Sequence, residues 1–394
     1  MKDNELTDVF RYITSERCTE LLTELVSIDS VNPFDSEGKS ESDLGRHLLD
    51  SIKRMGLKAE EQSVGSGRFN VIGFLEGKKN GPTIMLNSHM DTVGVQGMSS
   101  PFVPKVSNGK IYGRGSCDAK GSIASMVMAM EALAKSKKVL KGNVILTAVC
   151  DEEYRSVGTN RIVEEYKADF AVVGEPTELQ LGIAHKGFVW VKLKVRGKAA
   201  HGSVPEQGVD AIEKAAHLIN ALEVLRYEYM RRPKHRFLGE PKIHMGTISG
   251  GTQPSVVPGL CELVLERRSL PGETTEGVLK EVQTVVDEAM KKDPDLAAEV
   301  SSPFQRIPFE VDRHSSFIHT FERVFKKVLR REVVVCGLPY WTDAALISNK
   351  CKIPVCVFGP GDIKYAHSND EYIEIDELVE AARVYSALIT AICS

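Results

Sequence analysis

Short apolar runs recur along the chain, and several of them break off into acids or histidines. Residues 83–86 are apolar behind Gly81-Pro82 and give way to Asn87, Ser88, His89 and Asp91. A run of that length behind turn residues predicts a buried strand. Residues 144–149 are almost wholly apolar, which predicts a central parallel strand, and they run into Cys150-Asp151-Glu152-Glu153. Residues 170–173 end at Gly174-Glu175-Pro176-Thr177, and residues 355–358 lead through Gly359-Pro360-Gly361 towards His367. Helical periodicity fills the intervals. Residues 18–28 carry Leu21, Leu22, Leu25 and Val26 on one stripe, residues 42–55 carry Leu44, Leu48 and Ile52, and residues 123–133 are rich in Ala and Met. Asp118 stands just before that last helix. In an open parallel sheet, ligands bind at the carboxyl ends of the strands. His89, Asp118, Glu153, Glu175 and His367 are therefore predicted to gather at one sheet edge.

From Lys186 the pattern changes. Residues 188–195 alternate Val189, Val191, Leu193 and Val195 with Lys192 and Lys194, as an antiparallel strand with one wet face does. Helices over 211–225 and 278–290 and strands over 243–248 and 261–266 complete a four-stranded sheet with two helices. The buried alternation then resumes and ends in a helix over 375–393. The expected organisation is α/β: a mostly parallel-sheet catalytic domain sandwiched by helices (1–185 and 302–394), interrupted by a smaller α+β domain (186–301). At 394 residues the chain is long enough for two such domains.

Taken alone, His89 and Asp91 read as a surface histidine beside a turn aspartate. They also suit a second arrangement, in which Asp91 accepts the ring N–H of a metal-bound His89. Asp118 could equally be a helix N-cap. Asp151-Glu152-Glu153 is harder to explain structurally, because adjacent acids at a buried strand end repel one another unless a cation intervenes. The glycines of Gly113-Arg114-Gly115 do not make a dinucleotide fingerprint. A net charge of -4 gives no reason to expect nucleic acid. The eight cysteines form no CxxC pair, the first residues lack an apolar core, and no apolar run is long enough to span a membrane, so a cytoplasmic protein with reduced thiols is expected.

These stretches stand in a familiar order: His89-Met90-Asp91, Gly113-Arg114-Gly115 to Asp118, Asp151-Glu152-Glu153, Gly174-Glu175-Pro176-Thr177, Ala200-His201-Gly202-Ser203, Arg267 to Glu273, and Ala366-His367-Ser368-Asn369-Asp370-Glu371. Together they resemble the M20-type dinuclear-zinc amidohydrolases, the group of acetylornithine deacetylase, succinyl-diaminopimelate desuccinylase, aminoacylase and carboxypeptidase G. The resemblance implies two Zn²⁺, with Co²⁺ or Mn²⁺ as substitutes. Asp118 would bridge the ions, His89 and Glu175 would complete one, and Glu153 and His367 the other. Glu152 would be the general base, with Asp91 behind His89. His201 would donate to the oxyanion across a homodimer interface, so the inserted domain would serve as lid and dimerisation domain. Arg268 would hold the substrate carboxylate, with Ser255, Thr342, Gly359 and Gly361 near the substrate.

Two positions depart from the family pattern. Ser255 stands where Asn is frequent, and Trp341 where a small residue is common. Glu at position 175 is typical of the family's deacylases, whereas its peptidases tend to have Asp. The expected activity is removal of a short acyl group from an N-acyl amino acid. A dipeptidase, tripeptidase or carboxypeptidase is the alternative, and a non-catalytic binding member is disfavoured by the presence of Glu152 with all five ligands.

Overall fold

The structure, a computed structural model, describes residues 3–34, 38–78, 80–95 and 97–394. Its chain divides into two compact units. One comprises Met1–Ile183, Val311–Cys336 and Thr342–Ser394, the other Ala184–Glu310 and Gly337–Trp341.

The first unit is built on a sheet with the spatial order Lys58–Gly65, Arg68–Leu75, Asn143–Val149, Thr83–His89, Phe170–Val173, Val355–Val357 and Leu181–His185. Its four middle strands, from Asn143–Val149 to Val355–Val357, are parallel, and the flanking ones pair antiparallel with their neighbours. Helices lie on both faces, as the alternation of side chains along a strand requires. Asn87 points at Thr159 of helix Val157–Glu165, while Ser88 next to it reaches the carbonyl of Ala119, at the start of helix Lys120–Lys135. Fourteen of the sixteen residues of Lys120–Lys135 are buried, so it is a core helix and not an amphipathic one. Its small residues let it sit close to the sheet: a Cβ on Gly174 would lie 2.7 Å from Ser122. Helix Ile375–Cys393 packs beside it.

The second unit holds a four-stranded antiparallel sheet in the order Lys242–Gly250, Leu260–Ser269, Gly187–Arg196, Ala297–Arg306. The helices Ala211–Arg231 and Thr275–Lys292 cover one face and bury Leu218, Leu222, Val278 and Val282 against Val191, Leu193, Leu263 and Leu265. The other face is split. Lys192 pairs with Glu262 and Arg196 with Glu299 at one end, while Phe188, Trp190 and Phe304 pack together at the other. Strand Ala297–Arg306 stays paired with Gly187–Arg196 as far as Arg306, so the chain has not left this unit at residue 302.

Candidate metal centre

Three strand ends and two loops of the first unit bring the predicted ligands together. Strand Thr83–His89 ends on His89, and the segments after Asn143–Val149 and Phe170–Val173 carry Glu153 and Glu175. Asp118 occupies the centre. Its Oδ1 lies 3.0 Å from His89 Nε2, and its Oδ2 lies 3.3 Å from His367 Nε2. Glu175 Oε2 is 3.7 Å from His89 Nε2, and Glu153 Oε1 is 3.2 Å from His367 Nε2. Donor atoms of His89, Asp118 and Glu153 all fall within 4.8 Å of one another. Asp118 does not cap the following helix, whose N-cap is Ala119 with no side-chain hydrogen bond.

The electrostatics of this cluster follow from its burial. Burial, against the pull of His89 and with help from Asp118 and Asp343, pushes Glu175 up to about 7. Burial and then the charge of Glu175 hold Glu152 well above the carboxylate range. Burial opposes charge on His89, yet Glu175 and Asp118 keep its imidazole well above its ordinary value. Crowded carboxylates raise one another, and a cation among them removes the cause of the rise. Oε1 of Glu175 is buried with no hydrogen-bond partner. A buried carboxylate with one oxygen unpartnered, beside imidazole and carboxylate donors, fits a hard or borderline metal ion.

Asp91 sits differently from the expectation. The His89 Nδ1–H donates to the backbone carbonyl of Asp91, at 2.9 Å, and the Asp91 carboxylate stays 3.8 Å from the ring. Its two oxygens instead accept the backbone N–H groups of Glu152 and Glu153, both at 3.1 Å. The tautomer of His89 is thus fixed by main chain, and the side chain of Asp91 secures the turn that presents the two glutamates.

The loop leading to Asp118 wraps a second buried carboxylate, to which the sequence alone assigns no role. Glu371 accepts from Arg114 Nη1 at 2.6 Å and from the backbone N–H groups of Gly115, Cys117 and Asp118 at 3.0, 2.9 and 3.1 Å. Gly115 adopts φ +83°, where a β-carbon is disfavoured, so the backbone can close around the acid. The loop amides that a phosphate would need are already engaged by Glu371.

Other expected substrate contacts are placed otherwise. Thr342 is fully buried, and its hydroxyl accepts the N–H of Ala344 at the start of helix Ala344–Cys351. In this structure the side chain serves the start of that helix. Gly359 packs against Glu175, where a Cβ would lie 2.5 Å from its carbonyl oxygen. Gly361, at φ +95°, packs against Cys117 and donates its N–H to Glu377. Both glycines serve close packing behind the cluster.

In the second unit, His201 is exposed on the two-residue strand Ala200–His201, which pairs with Val256–Val257, and the Gly202 N–H bonds the carbonyl of the exposed Ser255. The N–H of Ser203 donates to His201 Nδ1 at 3.2 Å. A neutral ring accepting at Nδ1 carries its proton on Nε2, which becomes a donor. The Nε of Arg268 donates to Glu266 at 2.6 Å, and its guanidinium lies 5.1 Å from the ring centroid of Phe188. Trp341 donates to the carbonyl of Ile307 and receives the guanidinium of Arg306 4.4 Å from its ring centroid.

The profile of Peptidase family M20/M25/M40 matches residues 85–391. A peptidase M20 domain-containing protein of Schizosaccharomyces pombe is 31% identical over 366 residues, which is 91% of this chain and 82% of that protein. The acetylornithine deacetylase of Myxococcus xanthus is 28% identical over 387 residues, 94% of this chain and 96% of its own length. The crystal structure of aminopeptidase PepT from Bacillus cereus superposes with a TM-score of 0.78 at 25% identity, covering 97% of this chain and 99% of that one. No helix among the described residues is long and apolar enough to cross a membrane.

Proposed function

The chain belongs to peptidase family M20/M25/M40 and is a metal-dependent hydrolase of amide bonds, and on that footing we propose that it removes a short acyl group from an N-acyl amino acid. The observation that carries the hydrolytic reading is the Asp118 carboxylate, one oxygen on His89 and the other on His367. In this reading His89, Glu175 and Asp118 would hold one zinc ion, and Glu153, His367 and the shared Asp118 a second, and cobalt or manganese could replace zinc on the same donors. Ions so placed supply Lewis acidity towards the scissile carbonyl and lower the pKa of water.

The remaining steps belong to side chains. Glu152 takes the proton of the attacking water and delivers it to the leaving amine nitrogen. Asp91 keeps the Glu152 backbone fixed while it does so. Nε2–H of His201 donates to the oxyanion of the tetrahedral intermediate. The guanidinium of Arg268 pairs with the α-carboxylate, a match of planar fork to planar acid. The deacylase preference is supported by Glu at position 175 and by the name of the Myxococcus relative. Hydrolysis of short peptides is the second reading, favoured by the likeness to the Bacillus aminopeptidase.

Dialysis against a chelator is expected to abolish hydrolysis, and zinc or cobalt to restore it. The assay should compare N-acetyl and N-succinyl amino acids with di- and tripeptides. Full activity in protein verified to be metal-free would end the metal reading, and faster turnover of tripeptides than of any N-acyl amino acid would favour the second one.

We further place His201 in trans, in a two-fold dimer through the second unit. Co-expression of His201→Ala with Glu152→Gln subunits tests this. In a mixed dimer one site regains both groups, so random pairing returns about a quarter of wild-type activity. Recovery equal to the sum of the two variants alone would put His201 in its own subunit's site or outside catalysis.

A further inference from the structure

We propose that Asn32 is a positioning residue for Glu152, acting through Asp91 as the neutral bridge between two buried acids. This inference rests on the reading of Glu152 as the base. Asn32 follows the first long helix, in a segment clamped beside the metal loop: its N–H bonds Thr92 O at 2.9 Å, and Thr92 N–H bonds Ser30 O at 3.0 Å. Its side-chain nitrogen donates to Asp91 Oδ2 at 2.7 Å and to Asp151 Oδ1 at 3.1 Å. Its side-chain oxygen accepts the N–H of Phe34.

The charges explain why an amide stands there. Glu41, Asp91 and Asp151 are all essentially out of solvent. Among the described residues the guanidinium of Arg68 serves two of them, binding Glu41 through Nε and Nη2 and Asp151 through Nη1 at 2.8 Å. Asp91 receives nothing from Arg68. Asp91 and Asp151 both accept from the Asn32 side-chain nitrogen, so the two buried acids stand close together, and like charges so placed repel strongly. A carboxamide NH₂ has two hydrogens and no charge, so it can donate to both acids at once. The relief available to Asp91, once that bridge is lost, is rotation away from Asp151. That rotation breaks its hydrogen bonds to the Glu152 and Glu153 N–H groups. The base then loses its fixed distance to the reacting centre, while contacts to the rest of the substrate are untouched.

The test uses the full-length, metal-loaded protein. Asn32→Ala is expected to lower kcat roughly 10–100-fold, the range for partners behind a metal site, with KM and metal content close to wild type. Asn32→Asp, which adds a fourth carboxylate to the three, should fall at least as far. Hydrogen exchange gives a readout independent of turnover. Protection of the Glu152 and Glu153 amides should drop at least tenfold in Asn32→Ala, while the amides of strand Asn143–Val149 keep theirs. If Asn32→Ala does not fold, Asn32→Ser, which retains one donor for the two acids, takes its place in the same measurements. A lower melting temperature with unchanged kcat and unchanged Glu152 exchange would overturn the proposal, as would loss of kcat explained wholly by loss of metal. If the wild type hydrolyses no amide, the proposed function fails, and the exchange measurement alone decides the role of Asn32.

Discussion

Glu152→Gln should keep its metal and lose roughly 10²–10⁴ in kcat, the contribution of a positioned general base. The substitution is nearly isosteric, so it leaves the packing around the cluster intact and removes only the ability to accept a proton. In the proposed reading Glu152 stands outside the ligand set, and its backbone N–H is held by Asp91 at 3.1 Å. Glu153→Ala is the matched control: it removes an oxygen 3.2 Å from His367 and should release metal. Turnover and metal per chain, measured on both variants, separate the roles. If Glu152→Gln released metal while Glu153→Ala retained it, the two assignments would have to be exchanged.

Arg114→Leu is expected to destabilise the first unit by about 3–5 kcal/mol, the cost of leaving one member of a buried ion pair alone. Arg114 and Glu371 are 2% and 1% exposed, so water cannot replace the lost partner. The stranded carboxylate would keep its three backbone donors but lose the cation bonded to it. Because one of those donors is the N–H of Asp118, metal affinity should weaken together with stability. Urea unfolding of the metal-loaded proteins measures the first effect and metal titration the second. The double variant Arg114→Leu/Glu371→Leu should recover part of the stability, since no charge is then buried unpaired. It should not recover all of it, because three amides would lack an acceptor. A single variant within about 1 kcal/mol of wild type would refute this account of the loop.

The acids and histidines at the strand ends were legible in the sequence because the strands carrying them are buried and parallel, and such strands read as unbroken apolar runs. Strand Lys58–Gly65 was not legible. It is a largely exposed edge strand of sequence KAEEQSVG, with no apolar face to give a period. Ala297–Arg306 was hidden by Pro303 and by the register shift between Ser301 and Phe304, both marks of an edge strand. The direction of the Asp91 carboxylate depends on the turn after Cys150, where Asp151 takes φ +70°. Nothing in the residue order announces that conformation, so Asp91 was assigned to His89 by its spacing. The partnership of Arg114 and Glu371 spans 257 positions, beyond any local pattern. The helix-start bond of Thr342 was hidden for a related reason: a threonine hydroxyl looks the same in sequence whether it meets a ligand or starts a helix.

The pairing of Ala184 with Glu310 has a consequence for how the chain finds this structure. Asp118 must meet Glu371 across 253 positions, and closing a loop of that length in an unfolded chain costs on the order of 5 kcal/mol. Ala184 and Glu310 bound the long segment of the second unit, to which only Gly337–Trp341 is added later, and they are opposite partners on adjacent strands. Once that unit has folded by itself, about half of the intervening chain ceases to count as loop, and the remaining closure is cheaper by about 0.6 kcal/mol. The insertion is therefore almost free for the unit that hosts it. It behaves as a hairpin of unusual size, and a short turn joining those two strands would leave the entropy of assembling the Asp118–Glu371 contact nearly unchanged.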